Sequence, residues 1–139
     1  MRAPFTQRYV HLVWSTWDRL PAITTEAQTL VTAMALSKCE ELKCQPIAFG
    51  GMDDHIHFLI RLHPAIAIAT LVGEIKGSSS HLVNQKLRLT EKFCWQGAYG
   101  AFTLRKDEVE QVSSYVHNQK IHHLENTLIP LLEQTDIEA

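Results

Sequence analysis

Residues 45–62, QPIAFGGMDDHIHFLIRL, decide the fold of this 139-residue chain. The runs 45–52 and 55–62 have the composition of strands, and the Asp53–Asp54 pair between them predicts a hairpin turn. Side chains alternate across a strand, so His55 and His57 point to one face. The opposite face is apolar, and we expect it to be the core face: Ile56, Phe58, Ile60 and Leu62.

Other elements extend outward from this hairpin. Residues 9–15 (YVHLVWS) predict a strand, and a helix that Thr24 or Thr25 can cap reaches about residue 43. A helix follows over about 65–89, broken near Gly73 and residues 77–80; then come extended chain over 93–104 and a helix over about 107–123. This order predicts an α+β fold, a ferredoxin-like or RRM-like antiparallel sheet with helices packed on it.

Length and composition predict one domain over residues 1–123, followed by a short acidic C-terminal tail over residues 124–139. Hydrophobic residues make up 45% and charged residues 20%, which excludes a disordered chain or a coiled-coil rod. Three cysteines without a C-x-x-C motif argue against a disulfide framework and a thiolate zinc site. Since neither a signal peptide nor a membrane span is visible, we expect a cytoplasmic protein with no membrane partner.

The net charge of −2 conceals an uneven distribution of charge. Residues 61–106 carry 7 basic and 2 acidic groups, whereas residues 107–139 carry 1 basic and 7 acidic groups. A basic middle segment is compatible with a nucleic-acid partner, although the overall acidity argues against one.

The His55-Ile56-His57 motif is a candidate metal site, because two imidazoles on one strand face can hold a divalent ion. Asp53 and Asp54 precede it and could support the imidazoles as hydrogen-bond acceptors. Taken alone the motif is a weak signal, and two strand histidines without a ligand are then the favoured interpretation.

Tyr115 and Gln119 lie four residues apart on the last predicted helix and therefore share a face, with Asn118 beside it and His122 one turn on. A phenol is a possible nucleophile for phosphoryl transfer, and a glutamine oxygen can complete a metal shell. A helix tyrosine packed at the core margin is the alternative. Together, the histidine strand and the tyrosine helix predict phosphodiester cleavage.

At this point the chain resembles the IS200/IS605-like single-tyrosine transposases of the HUH nuclease superfamily. The resemblance rests on five segments in the same order: residues 9–14 (YVHLVW) with 19–21 (RLP), 51–60 (GMDDHIHFLI), 75–80 (IKGSSS), 95–102 (WQGAYGAF) and 115–123 (YVHNQKIHH). The tail, which ends at Ala139, is shorter than the C-terminal segment often found in that family.

The resemblance implies a transposase that nicks and rejoins single-stranded DNA. Tyr115 would attack a phosphate to give a 5′-phosphotyrosine and a free 3′-OH, and His55, His57 and Gln119 would bind Mg²⁺ or Mn²⁺. It also implies recognition of hairpins at element ends and a homodimer in which subunits can share active sites. Asp54, Asn118 and His122 are expected as accessory residues.

Basic and aromatic residues of the middle segment are the expected DNA contacts, because cations follow the backbone and aromatic rings stack on unpaired bases. They are Arg61, Lys76, Lys86, Arg88, Trp95 and Arg105, with Trp95 expected to be an exposed stacking residue. Two other functions stay open. One is a non-enzymatic single-strand nucleic-acid binding module, and the other is a metal-dependent hydrolase in which water attacks and Tyr115 is structural.

Overall fold

A computed structural model of the protein describes residues 1–137. Its one four-stranded sheet contains β1 (Tyr9–Ser15), β2 (Gln45–Gly51), β3 (His55–Arg61) and β4 (Gly100–Leu104). The strands lie in the order β2-β3-β1-β4, and every neighbouring pair is antiparallel. This is the sheet order of a split βαβ fold, so the predicted α+β, ferredoxin-like class is confirmed.

The first face of the sheet carries the main core. Ile56, Phe58 and Ile60 are completely buried there, as the alternation in β3 predicted. Two helices cover this face, α1 (Thr25–Glu41) and α2 (Ile68–Lys86).

Helix α1 begins where its cap predicts. Thr24 Oγ1 accepts a hydrogen bond of 3.1 Å from the backbone N–H of Ala27, which satisfies one free donor of the first turn. The side chains that face the sheet recur at intervals of four residues: Ala27, Val31, Ala35 and Cys39. The small residues in this stripe let the helix lie close to the sheet.

Helix α2 is continuous, so the predicted break at Gly73 and residues 77–80 was wrong. A glycine in a helix costs about 1 kcal/mol relative to alanine, which burial of an apolar stripe easily outweighs. Gly73 and Gly77 are exposed, and the buried stripe continues along the helix past both of them: Leu71, Val72, Ile75, Ser79 and Val83.

Only the last part of the predicted extended stretch, β4, pairs in the sheet. The irregular chain before it meets β1 by the single bridge between Thr16 and Trp95. Hydrogen bonds to the Asn84 side chain replace the missing strand pairing. Asn84 Nδ2 donates to the Phe93 carbonyl at 2.9 Å, and Asn84 Oδ1 accepts from the Phe93 N–H at 2.7 Å.

The second face of the sheet is covered by α3 (Val109–His117) and α4 (Gln119–Glu125). The predicted single helix is thus interrupted at Asn118, whose φ and ψ of −99° and 26° leave the helical region. Val116 packs on Ala48 and Leu59, with Val109 and Val112 beside it, so the valine stripe is part of the core.

The C-terminal segment, residues 126–137, returns over the second face. Asn126 ends α4 in the left-handed conformation (φ 58°), and a 3₁₀ turn follows at Pro130–Glu133. This brings the segment predicted as an acidic tail onto the sheet beside the histidine strand. In the described range 1–137, no helix has the length and apolar character needed to cross a bilayer.

Candidate functional site

The floor of the site is one cross-strand row on the second face. Gly50 of β2 pairs with His57 of β3, His57 with Val13 of β1, and Val13 with Gly100 of β4. A Cβ on Gly50 would lie 2.0 Å from the Val116 carbonyl oxygen of α3. Glycine at that position therefore lets the helix approach His57 closely.

At the other end of the row, the C-terminal segment packs against Gly100. A Cβ on Gly100 would lie 2.0 Å from the Gln134 carbonyl oxygen and 2.8 Å from Val13 Cγ1. The two glycines thus bring a helix and a C-terminal turn toward the same histidine from opposite sides of the row.

Both strand histidines are buried and held through their Nδ1 atoms. His55 Nδ1 donates to Asp54 Oδ1 at 2.7 Å, which places the predicted accessory residue Asp54 behind the imidazole. His57 Nδ1 lies 2.8 Å from His11 Nε2. Since the Nδ1 atoms are occupied, each imidazole directs its Nε2 atom into the site.

His11 supports His57 from β1, a position that no motif in the sequence indicated. Its ring is fully buried and stacks on His57 at a centroid distance of 5.0 Å. Burial, helped by the neighbouring His57, lowers the pKa of His11 to about 3, so the ring is neutral. With a metal ion bound, a neutral His11 would accept the His57 Nδ1 hydrogen, so that His57 Nε2 would present a lone pair to the ion.

Tyr115 and Gln119 reach the histidines from opposite sides of the helix break. The Tyr115 ring stands edge-on to His57 at a centroid distance of 5.9 Å. Gln119 Oε1 lies 3.4 Å from His55 Nε2, and Gln119 Nε2 donates to the Tyr115 carbonyl at 3.3 Å.

Glu133 completes the cluster, and sequence reasoning missed it. Its carboxylate lies 3.3 Å from His55 Nε2 and 3.1 Å from His57 Nε2. It also accepts a 2.6 Å hydrogen bond from the Tyr115 hydroxyl. The only available signal was an acidic residue in a stretch that has no recognisable motif.

Residues of α4 complete the surroundings. His122, expected as accessory, stacks on Tyr115 at a centroid distance of 4.7 Å. His123 places its Nε2 3.3 Å from His55 Nε2 and 3.7 Å from Glu133 Oε1, a position that no motif in the sequence indicated. Asn118 is exposed at the helix break, where its N–H donates to the Ser114 carbonyl and its carbonyl accepts from the His122 N–H.

Burial and the carboxylate set the charge of the site. Desolvation lowers the pKa of His57, whereas hydrogen bonds to Glu133 and Asp54 outweigh desolvation and raise the pKa of His55. Hydrogen bonds from these histidines and from Tyr115 hold the pKa of Glu133 below its usual range despite burial. Burial and the Glu133 carboxylate raise the pKa of Tyr115 to about 12, so its hydroxyl is protonated at rest.

The donor set fits a divalent cation. One ligand atom each from His55, His57 and Glu133 lies within 4.8 Å of the others, and Gln119 Oε1 is adjacent to His55. A donor set of two imidazole nitrogens with carboxylate and amide oxygens suits Mn²⁺ and is also compatible with Mg²⁺.

The residues predicted to contact DNA divide into two groups. Arg61 donates to the Thr6 carbonyl, and Lys76 donates to the Ala98 carbonyl at 3.0 Å, so both are engaged within the chain. The remaining three basic residues are exposed, one of them paired with neighbouring acids: Lys86, Arg88 and Arg105.

Trp95 does not have the exposed position expected of it. Its ring is half-buried and edge-on to Trp14 at a centroid distance of 6.0 Å, and its Nε1 donates to Ser79 Oγ at 2.9 Å. The exposed tryptophan is Trp17, with 58% of its surface accessible, in the 3₁₀ turn that follows β1.

Comparison with known sequences agrees with this geometry. The family model described as "Transposase IS200 like" matches residues 4–119. The transposases for insertion sequence element IS200 from Salmonella typhimurium and Salmonella typhi are each 23% identical over 114 residues, covering 78% of this chain and 74% of theirs.

Two solved structures share the fold. A candidate transposase from Deinococcus radiodurans R1 has a TM-score of 0.66 at 20% identity, over 86% of this chain and 98% of that one. A REP-associated tyrosine transposase bound to a REP hairpin has a TM-score of 0.68 at 14% identity, over 88% of this chain and 72% of that one. With a family model that spans both the histidine strand and the tyrosine helix, the chain belongs to the IS200-like transposases.

Proposed function

We propose that the protein nicks and rejoins single-stranded DNA with Tyr115 as the nucleophile. The observation that carries this proposal is the position of the Tyr115 hydroxyl, which points into the cluster of His55 and His57 and contacts Glu133. A phenol held beside a site for a divalent cation has the two components that strand transfer at a phosphate requires.

In the proposed step, Tyr115 Oη attacks a DNA phosphorus atom. The Oη–P bond forms and the P–O3′ bond breaks, while the phenol proton of Tyr115 passes to solvent and the 3′ oxygen takes a proton from solvent. The products are a 5′-phosphotyrosine and a free 3′-OH. The reverse attack by a 3′-OH restores a phosphodiester and frees Tyr115. No nucleotide cofactor is needed, because the tyrosyl phosphodiester conserves the energy of the broken bond.

His55, His57 and Gln119 would hold a divalent ion, which would supply charge neutralisation and orientation at the phosphate. We propose that Mn²⁺ supports faster cleavage than Mg²⁺ at equal concentration, because Mg²⁺ prefers oxygen ligands and two ligands here are imidazoles. Clearly faster cleavage in Mg²⁺ would contradict this preference.

For the partner, we propose single-stranded DNA that carries a hairpin. Support comes from the structural relative described as bound to a REP hairpin, and from the exposed Lys86 and Arg88. A homodimer is the proposed assembly, and apolar side chains exposed on α4 and the following segment support it: Ile121, Leu124, Ile129 and Leu131. Light scattering of the purified protein measures the assembly, and a monomeric mass would exclude the dimer.

The test is a covalent adduct on a denaturing gel. Labelled single-stranded oligonucleotides that carry hairpins from the DNA flanking the gene are incubated with the protein and Mn²⁺. We expect a slow-migrating protein–DNA species and a shortened product, both of which disappear in Tyr115→Phe. The matched control Tyr99→Phe, a change on the irregular chain before β4, should leave the adduct in place.

The same gel separates the two other functions. Cleavage without an adduct would identify a hydrolase in which water attacks. Binding of a hairpin without cleavage in any metal would identify a non-enzymatic nucleic-acid binding module.

A further inference from the structure

The two imidazoles and the amide of the proposed metal site are neutral ligands. A hard divalent cation gains most of its affinity in proteins from anionic oxygen. Among the side chains whose ligand atoms converge at His55 and His57, Glu133 is the group that carries a negative charge into the described site.

The position of Glu133 is fixed by its surroundings. The side chain is only 17% exposed, and both carboxylate oxygens have partners. One oxygen faces His55 Nε2 and His57 Nε2 at 3.3 and 3.2 Å, and the other faces His57 Nε2 at 3.1 Å and the Tyr115 hydroxyl at 2.6 Å.

Residues around Glu133 hold the segment in register. The Ile129 N–H donates to the Tyr115 hydroxyl at 3.0 Å, four residues before Glu133. The backbone of Gln134 lies on Gly100, where a side chain would collide with it. The 3₁₀ turn at Pro130–Glu133 is thus anchored on both sides of the carboxylate.

We propose that Glu133 is the anionic ligand of the metal site and that its second oxygen positions the Tyr115 hydroxyl beside the ion. This inference rests on the metal site of the proposed function and assigns a role to a residue beyond the part of the chain that the family model matches. The C-terminal segment then becomes a component of the site.

The test measures binding of Mn²⁺ to the full chain without DNA, by the loss of the electron paramagnetic resonance signal of free Mn²⁺. We expect Glu133→Gln to weaken Mn²⁺ binding about tenfold or more, since even indirect supporting residues of metal sites cost 10–100-fold when lost. The isosteric amide keeps the shape of the segment, and a thermal melt checks that each variant is folded.

The matched control is Glu125→Gln, which removes the same charge from an exposed position on α4. It should leave Mn²⁺ affinity within about twofold. An equal loss in both variants would show a general charge effect and overturn the assignment, as would unchanged affinity in Glu133→Gln.

A second variant pair tests the same inference without touching a ligand. Gly100→Ala should displace the Gln134 backbone and lower Mn²⁺ affinity, whereas Gly97→Ala, with open space around its Cβ, should not. Unchanged affinity in Gly100→Ala would count against an anchored Glu133.

His57→Gln separates failure of this inference from failure of the proposed function. If His57→Gln abolishes Mn²⁺ binding and Glu133→Gln does not, the histidine site stands and the role of Glu133 is wrong. If the wild-type protein binds no Mn²⁺, the metal component of the proposed function fails with it.

Discussion

At the scale of single residues, the direction of each imidazole is set by a partner on the far side of its ring. Asp54 holds His55, and His11 holds His57. The two ligands also differ in basicity: burial lowers the pKa of His57, whereas hydrogen bonds to Glu133 and Asp54 outweigh burial and raise the pKa of His55. The aspartate is adjacent in sequence and predictable, whereas His11 comes from a neighbouring strand.

The tryptophans give a prediction at this scale. Trp95→Ala should lower the free energy of unfolding by about 2–3 kcal/mol, because it removes ring contacts with Trp14 and leaves Ser79 without its donor. Denaturant titration with the exposed control Trp17→Ala measures the difference, and the control should lose less than about 0.5 kcal/mol. Equal losses would contradict the packing assigned to Trp95.

At the scale of elements, the site depends on how closely α3 lies on β2. Two glycines in a strand are poor strand formers, and their local cost makes sense only where another backbone approaches. Gly50 provides that space under α3, which carries Tyr115. The strand register, the glycine and the nucleophile therefore form one geometric unit.

Alanine substitution should have opposite effects at a glycine in close backbone contact and at a glycine with open space around it. Gly50→Ala should destabilise the protein by more than about 2 kcal/mol and reduce adduct formation, because the added Cβ meets a backbone carbonyl. Gly73→Ala, inside α2 with open space around its Cβ, should stabilise the protein by about 0.5–1 kcal/mol. Thermal melts and the denaturing gel measure both effects, and a neutral Gly50→Ala would refute the close approach.

At the scale of the whole molecule, the acidic C-terminal segment lies over the histidine strand and buries the site. Tyr115 is 5% exposed and Gln119 1%, so both side chains are covered in the DNA-free protein. The acidic block of the sequence thus contributes to the site, because it includes Glu133, whose carboxylate lies among the possible metal-ligand atoms found within residues 1–137.

A buried metal site links metal binding to folding of the whole molecule. Mn²⁺ at a hundredfold excess over its dissociation constant should raise the free energy of unfolding by about 2.7 kcal/mol, visible as an increase in Tm. His57→Gln should lose this increase, whereas the exposed control His81→Gln should retain it. An equal increase in all three proteins would place the ion elsewhere.

Local spacing in the sequence is enough to predict three features: the β2–β3 hairpin, the face on which His55 and His57 lie, and the core stripe of β3. The reason is that side-chain alternation in a strand is a local property. The sequence by itself also determined Tyr115 and Gln119 as a pair, since four residues bring side chains together even across the break at Asn118. The geometry of these segments follows from the spacing of their own residues, and the resemblance to the transposases rests on them.

Which distant residues join Tyr115 and Gln119 depends on strand pairing and chain reversals, which are visible only in the tertiary structure. His11 reaches His57 through strand pairing, and Glu133 reaches it through a chain reversal at Asn126 and a seat on Gly100. The continuity of α2 and the burial of Trp95 were decided in the same way, by packing against the sheet. Contacts between residues far apart in sequence depend on the whole fold, and no local periodicity records them.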